Sequence, residues 1–129
     1  MREAGPQGDL ILRTMAMPAD TNPAGDIFGG WLMAQMDIAA GMLAGWRTHG
    51  RVATVAVDGM SFLKPVLVGD AVGCYGGVVH VGRTSLRIRI ETWARRGRIG
   101  DHLKVTEGTF TMVALDETGR PRRVPPQAP

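Results

Sequence analysis

A chain of 129 residues, 44% hydrophobic and 21% charged, has the make-up of one globular domain and is too short for a second core of its own. Cys74 is the only cysteine, which excludes an intrachain disulfide, and the three histidines (His49, His80, His102) lack the spacing of metal ligands. A net charge of +3 favours anionic partners without naming one.

Residues 1–9 contain no apolar stretch of the kind a secretory signal needs, and they read as a loose N-terminus. Leu10 to Met17 is short and apolar enough for a first strand. Pro18 to Gly25 is dense in turn formers and reads as a loop. From Gly29 to about Trp46 the large apolar residues Trp31, Leu32, Met36, Leu43 and Trp46 are separated by Ala and Gly. That spacing predicts a helix buried nearly all round. Gly41 and Gly45 each weaken an isolated helix by about 1 kcal/mol relative to Ala. Their expected use is to let a surrounding sheet come close. The segment carries Gln35 and Asp37 and makes a poor membrane span, so the expected location is the cytosol.

After His49-Gly50 the pattern turns to β. Val52 to Asp58 alternates weakly, and Gly59 to Pro65 continues it irregularly. Val68-Gly69-Asp70 precedes a long strand ending at Val81, and Val81-Gly82-Arg83 reads as a hairpin turn. Thr84 to Trp93 alternates, with Leu86, Ile88 and Ile90 on one face and Arg87, Arg89 and Glu91 on the other. Leu103 to Leu115 is the last strand, turned by Asp116 to Gly119. One helix followed by an antiparallel meander of long strands predicts an α+β hot-dog fold, a curved sheet wrapped around a central helix. The expected division is a terminus (1–9), one domain (10–118) and a Pro/Arg-rich tail (119–129), extended or disordered.

Two basic clusters stand out, Arg95/Arg96/Arg98 and Arg120/Arg122/Arg123. They fit nucleic acid, a phosphorylated small ligand, or merely solvated turns. Aromatic residues make up 5% and are not interleaved with the cations, which argues against a nucleic-acid stacking platform.

Asp37 is the most informative single residue. Its helical neighbours Met33, Ala34, Ala40 and Gly41 are all non-polar, so a carboxylate there requires a partner from elsewhere or a chemical use. A buried carboxyl in such a place suits a general base; a solvent-facing position on the helix edge is the bland alternative. The loop Asp20 to Gly30 runs into the helix. Asn22 brings an amide that can hold a water or a carbonyl oxygen. Gly29 and Gly30 offer backbone N–H groups at a helix N-terminus, where developing negative charge is favoured. The bland reading is that Asn22 starts a turn, Asp26 caps the helix and the glycines ease packing.

The run Leu12 to Trp31 (LRTMAMPADTNPAGDIFGGW) resembles the opening of the YciA-type acyl-CoA thioesterases. The likeness continues in order through Gln35-Met-Asp37, His49-Gly-Arg51, Val57 to Pro65, Val68-Gly-Asp70, Gly82 to Ser85, Thr106-Glu107 and Gly119 to Arg122. The resemblance implies a hot-dog fold and a dimer that joins two sheets, often three such dimers in a hexamer. It implies hydrolysis of acyl-CoA to a free acid and CoA, with CoA as part of the substrate and no cofactor or metal. Asn22 and Asp37 match the family's catalytic pair, contributed by opposite subunits. The helix N-terminus at Gly29 and Gly30 matches the place where the thioester carbonyl is polarised. CoA is expected against Arg51, Thr54, Val55 and Ala56 and the turn Gly82, Arg83, Thr84 and Ser85, with Arg120 and Arg122 as further contacts to its nucleotide.

The mechanism implied has Asp37 either deprotonating a water placed by Asn22 or attacking the thioester itself. The acyl chain is expected in a slot lined by Trp31, Met33 and Met36. A hot-dog dehydratase is a rival, but its chemistry relies on a helix histidine that this chain lacks. A non-catalytic acyl-CoA-binding sensor is the alternative kept.

Overall fold

The computed structural model describes residues 5–97, 100 and 102–127. The elements in chain order are strand β1 (Asp9–Met15), a 3-10 turn (Pro18–Asp20), helix α1 (Gly29–Thr48), and strands β2 (Val52–Phe62), β3 (Ala71–Val81), β4 (Ser85–Arg95) and β5 (His102–Ala114). The strands form one antiparallel sheet ordered β1-β3-β4-β5-β2, and α1 packs across its inner face.

The expected meander holds only for β3, β4 and β5. β2 leaves β3 and pairs with the far side of β5, from Val52 opposite Ala114 to Phe62 opposite Thr106. The physical reason is the connection between β2 and β3, which lacks the short turn of a hairpin and crosses over instead. That crossing is tied down by Asp70, only 1% exposed. Its carboxylate accepts two bonds from Arg96, each 3.0 Å, and one from the Leu67 N–H at 2.9 Å. Arg96 therefore has a structural task in this chain; Arg98 of the same basic cluster lies outside the described residues.

The helix is not buried all round within one subunit. Leu32, Met36, Ala39, Ala40, Ala44 and Thr48 form its buried stripe. Met36, Ala39, Ala40 and Ala44 meet Leu86, Ile88, Ile90, Phe110 and Met112 from the sheet. The opposite stripe exposes Ile38, Met42 and Trp46, the last 58% accessible. The close helix–sheet approach comes from the alanines rather than the glycines. A Cβ on Gly41 would meet nothing, and one on Gly45 would make only an ordinary contact with the Gly50 carbonyl. No helix among the described residues is long and apolar enough to cross a membrane.

The C-terminal segment is extended and belongs to the fold as far as it is described. Val124 is buried in the main core, its N–H bonds the Arg83 carbonyl at 2.9 Å, and Arg47 donates to the Pro125 carbonyl at 2.6 Å. Arg122 donates to the carbonyls of Leu115 (3.0 Å) and Thr48 (2.7 Å), a cation at the C-terminal end of α1. Gly50 leaves room for it, since a Cβ there would lie 2.6 Å from the Arg122 guanidinium. Two of the Arg122 N–H groups thus hold the helix end and the β5 end together.

Candidate active site

α1 begins without a side-chain cap. Phe28 is the N-cap, and its carbonyl accepts from Trp31 (3.1 Å) and Leu32 (3.3 Å). Asp26 does not cap the helix, so the bland reading fails for that residue. Among the described residues, the N–H groups of Gly29 and Gly30 have no acceptor. They form the positive end of the helix, available to an oxyanion. The two glycines differ in surroundings. A Cβ on Gly29 would press on the Phe62 ring at 3.3 Å, whereas a Cβ on Gly30 would meet open space.

That open space is a pocket of about 310 Å³ lined by Gly30, Met33, Ala34, Asp37, Thr54, Val57 and Phe110. Two turns of α1 supply the first four residues, β2 supplies Thr54 and Val57, and β5 supplies Phe110. The polar partner that Asp37 requires is Thr54, whose hydroxyl donates to Asp37 Oδ1 at 2.5 Å. A β-bulge brings this about. The β2/β5 register slips between Thr54 and Ala56, so Val55 is left over and stands 59% exposed. A bulge at a sheet edge re-aims the neighbouring side chain, and here it is the Thr54 hydroxyl that meets the helix carboxylate.

Asp37 is exposed in the single subunit, so the buried setting expected for it is not supplied by its own chain. Asn22 does not line the pocket. Its side-chain oxygen accepts from the N–H groups of Ala24 (2.9 Å) and Asp26 (3.1 Å), which fixes the loop as a turn. With the oxygen so engaged, the amide NH₂ is the end left to meet a ligand. Asn22 thus starts a turn and presents a donor at once.

The expected CoA surface divides into two stretches on either side of β5. Val52 pairs with Ala114 and Thr54 with Met112, while Ser85 pairs with Val113 across the other edge. Arg51, Val55, Ala56 and Arg83 are exposed there, and Thr84 and Ser85 are half-buried. The turn is tight: Gly82 donates to the Ser85 carbonyl at 2.7 Å, and a Cβ on Gly82 would lie 3.0 Å from Ser85 Oγ. Thr54 belongs to both descriptions, at the end of the CoA stretch and on the carboxylate.

Two slot residues are corrected. Met36 is fully buried in the core, and Trp31 packs against a second cluster with Ile27, Leu32 and Val66. Met33 does line the pocket, joined by Val57 and Phe110, which sequence reasoning missed. The signal available was weak: both alternate into the sheet's inner face like any core residue. His49 caps the C-terminal end of α1 in the left-handed region (φ 56°), and His80 is exposed on β3. Cys74 is buried, and burial pushes its thiol up to about 11, which makes it a poor nucleophile.

One long helix held in a five-stranded antiparallel sheet, with a carboxylate beside free helix N-terminal amides, defines a hot-dog hydrolase. The comparisons agree. The thioesterase superfamily model matches residues 24–100. The acyl-CoA thioester hydrolase YciA of Escherichia coli (strain K12) is 57% identical over 123 residues, covering 93% of each chain. The hexameric thioesterase of Yersinia pestis superposes with a TM-score of 0.90 at 54% identity, over 94% of this chain and 98% of that one. A hexameric broad-specificity acyl-coenzyme A thioesterase superposes with a TM-score of 0.91 at 50% identity, over 95% of this chain and 85% of that one. The chain belongs to the thioesterase superfamily, among the YciA-type acyl-CoA thioester hydrolases.

Proposed function

We propose that this protein hydrolyses acyl-CoA thioesters to a carboxylic acid and CoA in a site completed by a second subunit. The observation that carries the reading is the Asp37–Thr54 pair at the mouth of a pocket that also holds the free amide of Gly30. The thioester carbonyl oxygen rests on the Gly30 N–H, where the helix dipole favours the charge that develops on it. Thr54 holds one carboxylate oxygen of Asp37, and the other takes a proton from water. The hydroxide adds to the carbonyl carbon, the tetrahedral oxyanion collapses, the C–S bond breaks, and the thiolate recovers the proton from Asp37. The same carboxylate is placed for direct attack, which would build one of its oxygens into an anhydride, whereas general-base hydrolysis leaves both oxygens untouched. Single turnover in ¹⁸O-water would then leave no label in Asp37.

A second subunit supplies what one chain lacks. The pocket is open and Asp37 exposed, whereas such chemistry gains from exclusion of water. β2 is an edge strand with an unpaired side, next to the exposed apolar residues Val55, Phe62 and Leu63. Pairing of β2 with its copy would join two sheets and cover that edge. Asn22 of the opposite subunit then orients the water or the carbonyl through its NH₂. Arg51, Thr54, Val55 and Ala56, with Gly82 to Ser85, provide the CoA surface. Assembly as a homohexamer of three such dimers is part of the proposal, supported by the hexameric relatives.

Mixing tests the composite site. Asn22→Ala and Asp37→Asn proteins, each inactive alone, should recover activity when co-assembled, because one site in a mixed dimer keeps both residues. No recovery in verified mixed oligomers would overturn the arrangement across subunits.

A further inference from the structure

The outward face of the sheet carries a second, smaller hollow of about 70 Å³, lined by Arg13, Ala71, Gly73, Tyr75, Arg95 and His102. It arises from residue sizes along one strand. In the sheet register Arg13 of β1 lies opposite Gly73 of β3, Gly73 opposite Trp93 of β4, Ala71 opposite Arg95, and Arg95 opposite His102 of β5. β3 therefore contributes only a hydrogen and a methyl between two strands that each bring a guanidinium. A Cβ on Gly73 would crowd the hollow, lying 3.0 Å from the Tyr75 ring and 3.3 Å from Leu10. His102 is fixed against Trp93 (ring centroids 5.0 Å apart) and edge-on to Tyr75 (6.1 Å).

The polar groups converging on this hollow are donors. Arg13 leans on the Tyr75 hydroxyl at 3.5 Å, and among the described residues neither Arg13 nor Arg95 forms an ion pair. The nearest carboxylate on that face of β4, Glu91, is already engaged by the Trp93 indole (2.9 Å) and by Arg89 (3.1 Å). Burial, then Arg95 and Arg13, hold the His102 imidazole below its ordinary value, and among the described residues no carboxylate lines the hollow. Two guanidiniums set diagonally on either side of β3, both lining a dent about the size of one tetrahedral oxyanion, suit recognition of an anion.

We propose that this hollow is an oxyanion site that takes one phosphoryl group, gripped between Arg13 and Arg95 and hydrogen-bonded by Tyr75 and His102. It is separate from the CoA surface of the same subunit. Arg95 and Ser85 stand at opposite ends of β4, roughly 33 Å apart along the strand. The phosphoryl group is that of free inorganic phosphate or of a nucleotide, and the chemistry of recognition is the same for both.

The test uses the assembled protein with inorganic phosphate and, separately, adenosine 3′,5′-bisphosphate, each against chloride at matched ionic strength. Thermal unfolding reports binding, and the His102 imidazole resonance reports its place. At least one of the two probes should stabilise the wild type and move the His102 titration upward; which one does so identifies the source. Arg13→Gln and Arg95→Gln should each weaken that effect about tenfold or more, and Tyr75→Phe, which keeps the ring, should weaken it less. A general salting effect of phosphate would persist unchanged in all variants and leave His102 unmoved, and that result overturns the proposal. So does the absence of any response in the wild type to both probes. Neither readout depends on thioester hydrolysis, so the proposal stands or falls apart from the activity.

Discussion

Removing the Thr54 hydroxyl separates a positioned carboxylate from one that is merely present. In Thr54→Val the side-chain shape and strand preference are kept, and the loss is the hydrogen bond to Asp37 Oδ1 together with a weak contact to Met112 Sδ at 3.2 Å. The backbone register with β5 does not depend on the hydroxyl, so folding and assembly should be unchanged. A hydrogen bond to a charged group contributes about 1.5–3 kcal/mol. The pair sits at an exposed pocket mouth, so the lower half of that range applies in the single subunit, and closure by a partner raises it. At about 1.4 kcal/mol per factor of ten, kcat should fall roughly 10- to 100-fold, with KM nearly unchanged. Thr54→Ser restores the donor and should recover most of the rate. The assay is thiol release from a saturating acyl-CoA. A Thr54→Val protein at wild-type kcat would refute the reasoning, and so would a Thr54→Ser protein as slow as the valine variant.

Gly30→Ala should act in opposite directions on stability and rate. Its Cβ meets nothing in the subunit and relieves part of the helix penalty of glycine, about 0.5–1 kcal/mol, while placing a methyl in the pocket where the thioester carbonyl docks; unchanged turnover would contradict that docking. Arg96→Ala leaves the Asp70 carboxylate buried with only the Leu67 N–H, and should cost about 3 kcal/mol in urea unfolding, the low end for orphaning a buried charge because Arg96 is itself half-exposed. Cys74, pushed up to about 11 by burial, should resist thiol reagents in the native protein near neutral pH and react fully once unfolded. His102 is held below its ordinary value, so the unfolded chain takes a proton that the folded one resists. Stability should therefore be full above the ordinary imidazole value and fall as pH drops below it, and His102→Gln should flatten that part of the Tm–pH curve.

Much of this site was legible because its signals are local. An Asp at a helix position with only apolar neighbours needs a partner, and the structure supplies Thr54. A Gly-Gly pair at a helix start offers amides, and they are free. What the sequence could not show depends on non-local pairing. β2 joins β5 rather than β3, which no turn signal encodes, and that pairing brings Thr54 and Val57 to Asp37. The bulge at Val55 is equally invisible, since a one-residue slip has no composition of its own. Helix periodicity marked Met36 as a pocket candidate as readily as Met33, because the two lie about one turn apart on an apolar helix. Met36 points into the core cluster, and Met33, nearer the helix start, borders the pocket. Arg122 and Arg96 looked alike as surface cations, yet both are committed to carbonyls or a buried carboxylate that only the fold brings near.

The most direct measurement is release of free thiol from an acyl-CoA series, acetyl to palmitoyl, by the wild type and by Asp37→Asn. The account predicts turnover by the wild type that varies with chain length. In the mutant it predicts collapse of kcat by several orders of magnitude with CoA binding retained. Full activity in Asp37→Asn would contradict the central claim, and a wild type that binds acyl-CoA but releases no thiol would make the protein a binding module instead.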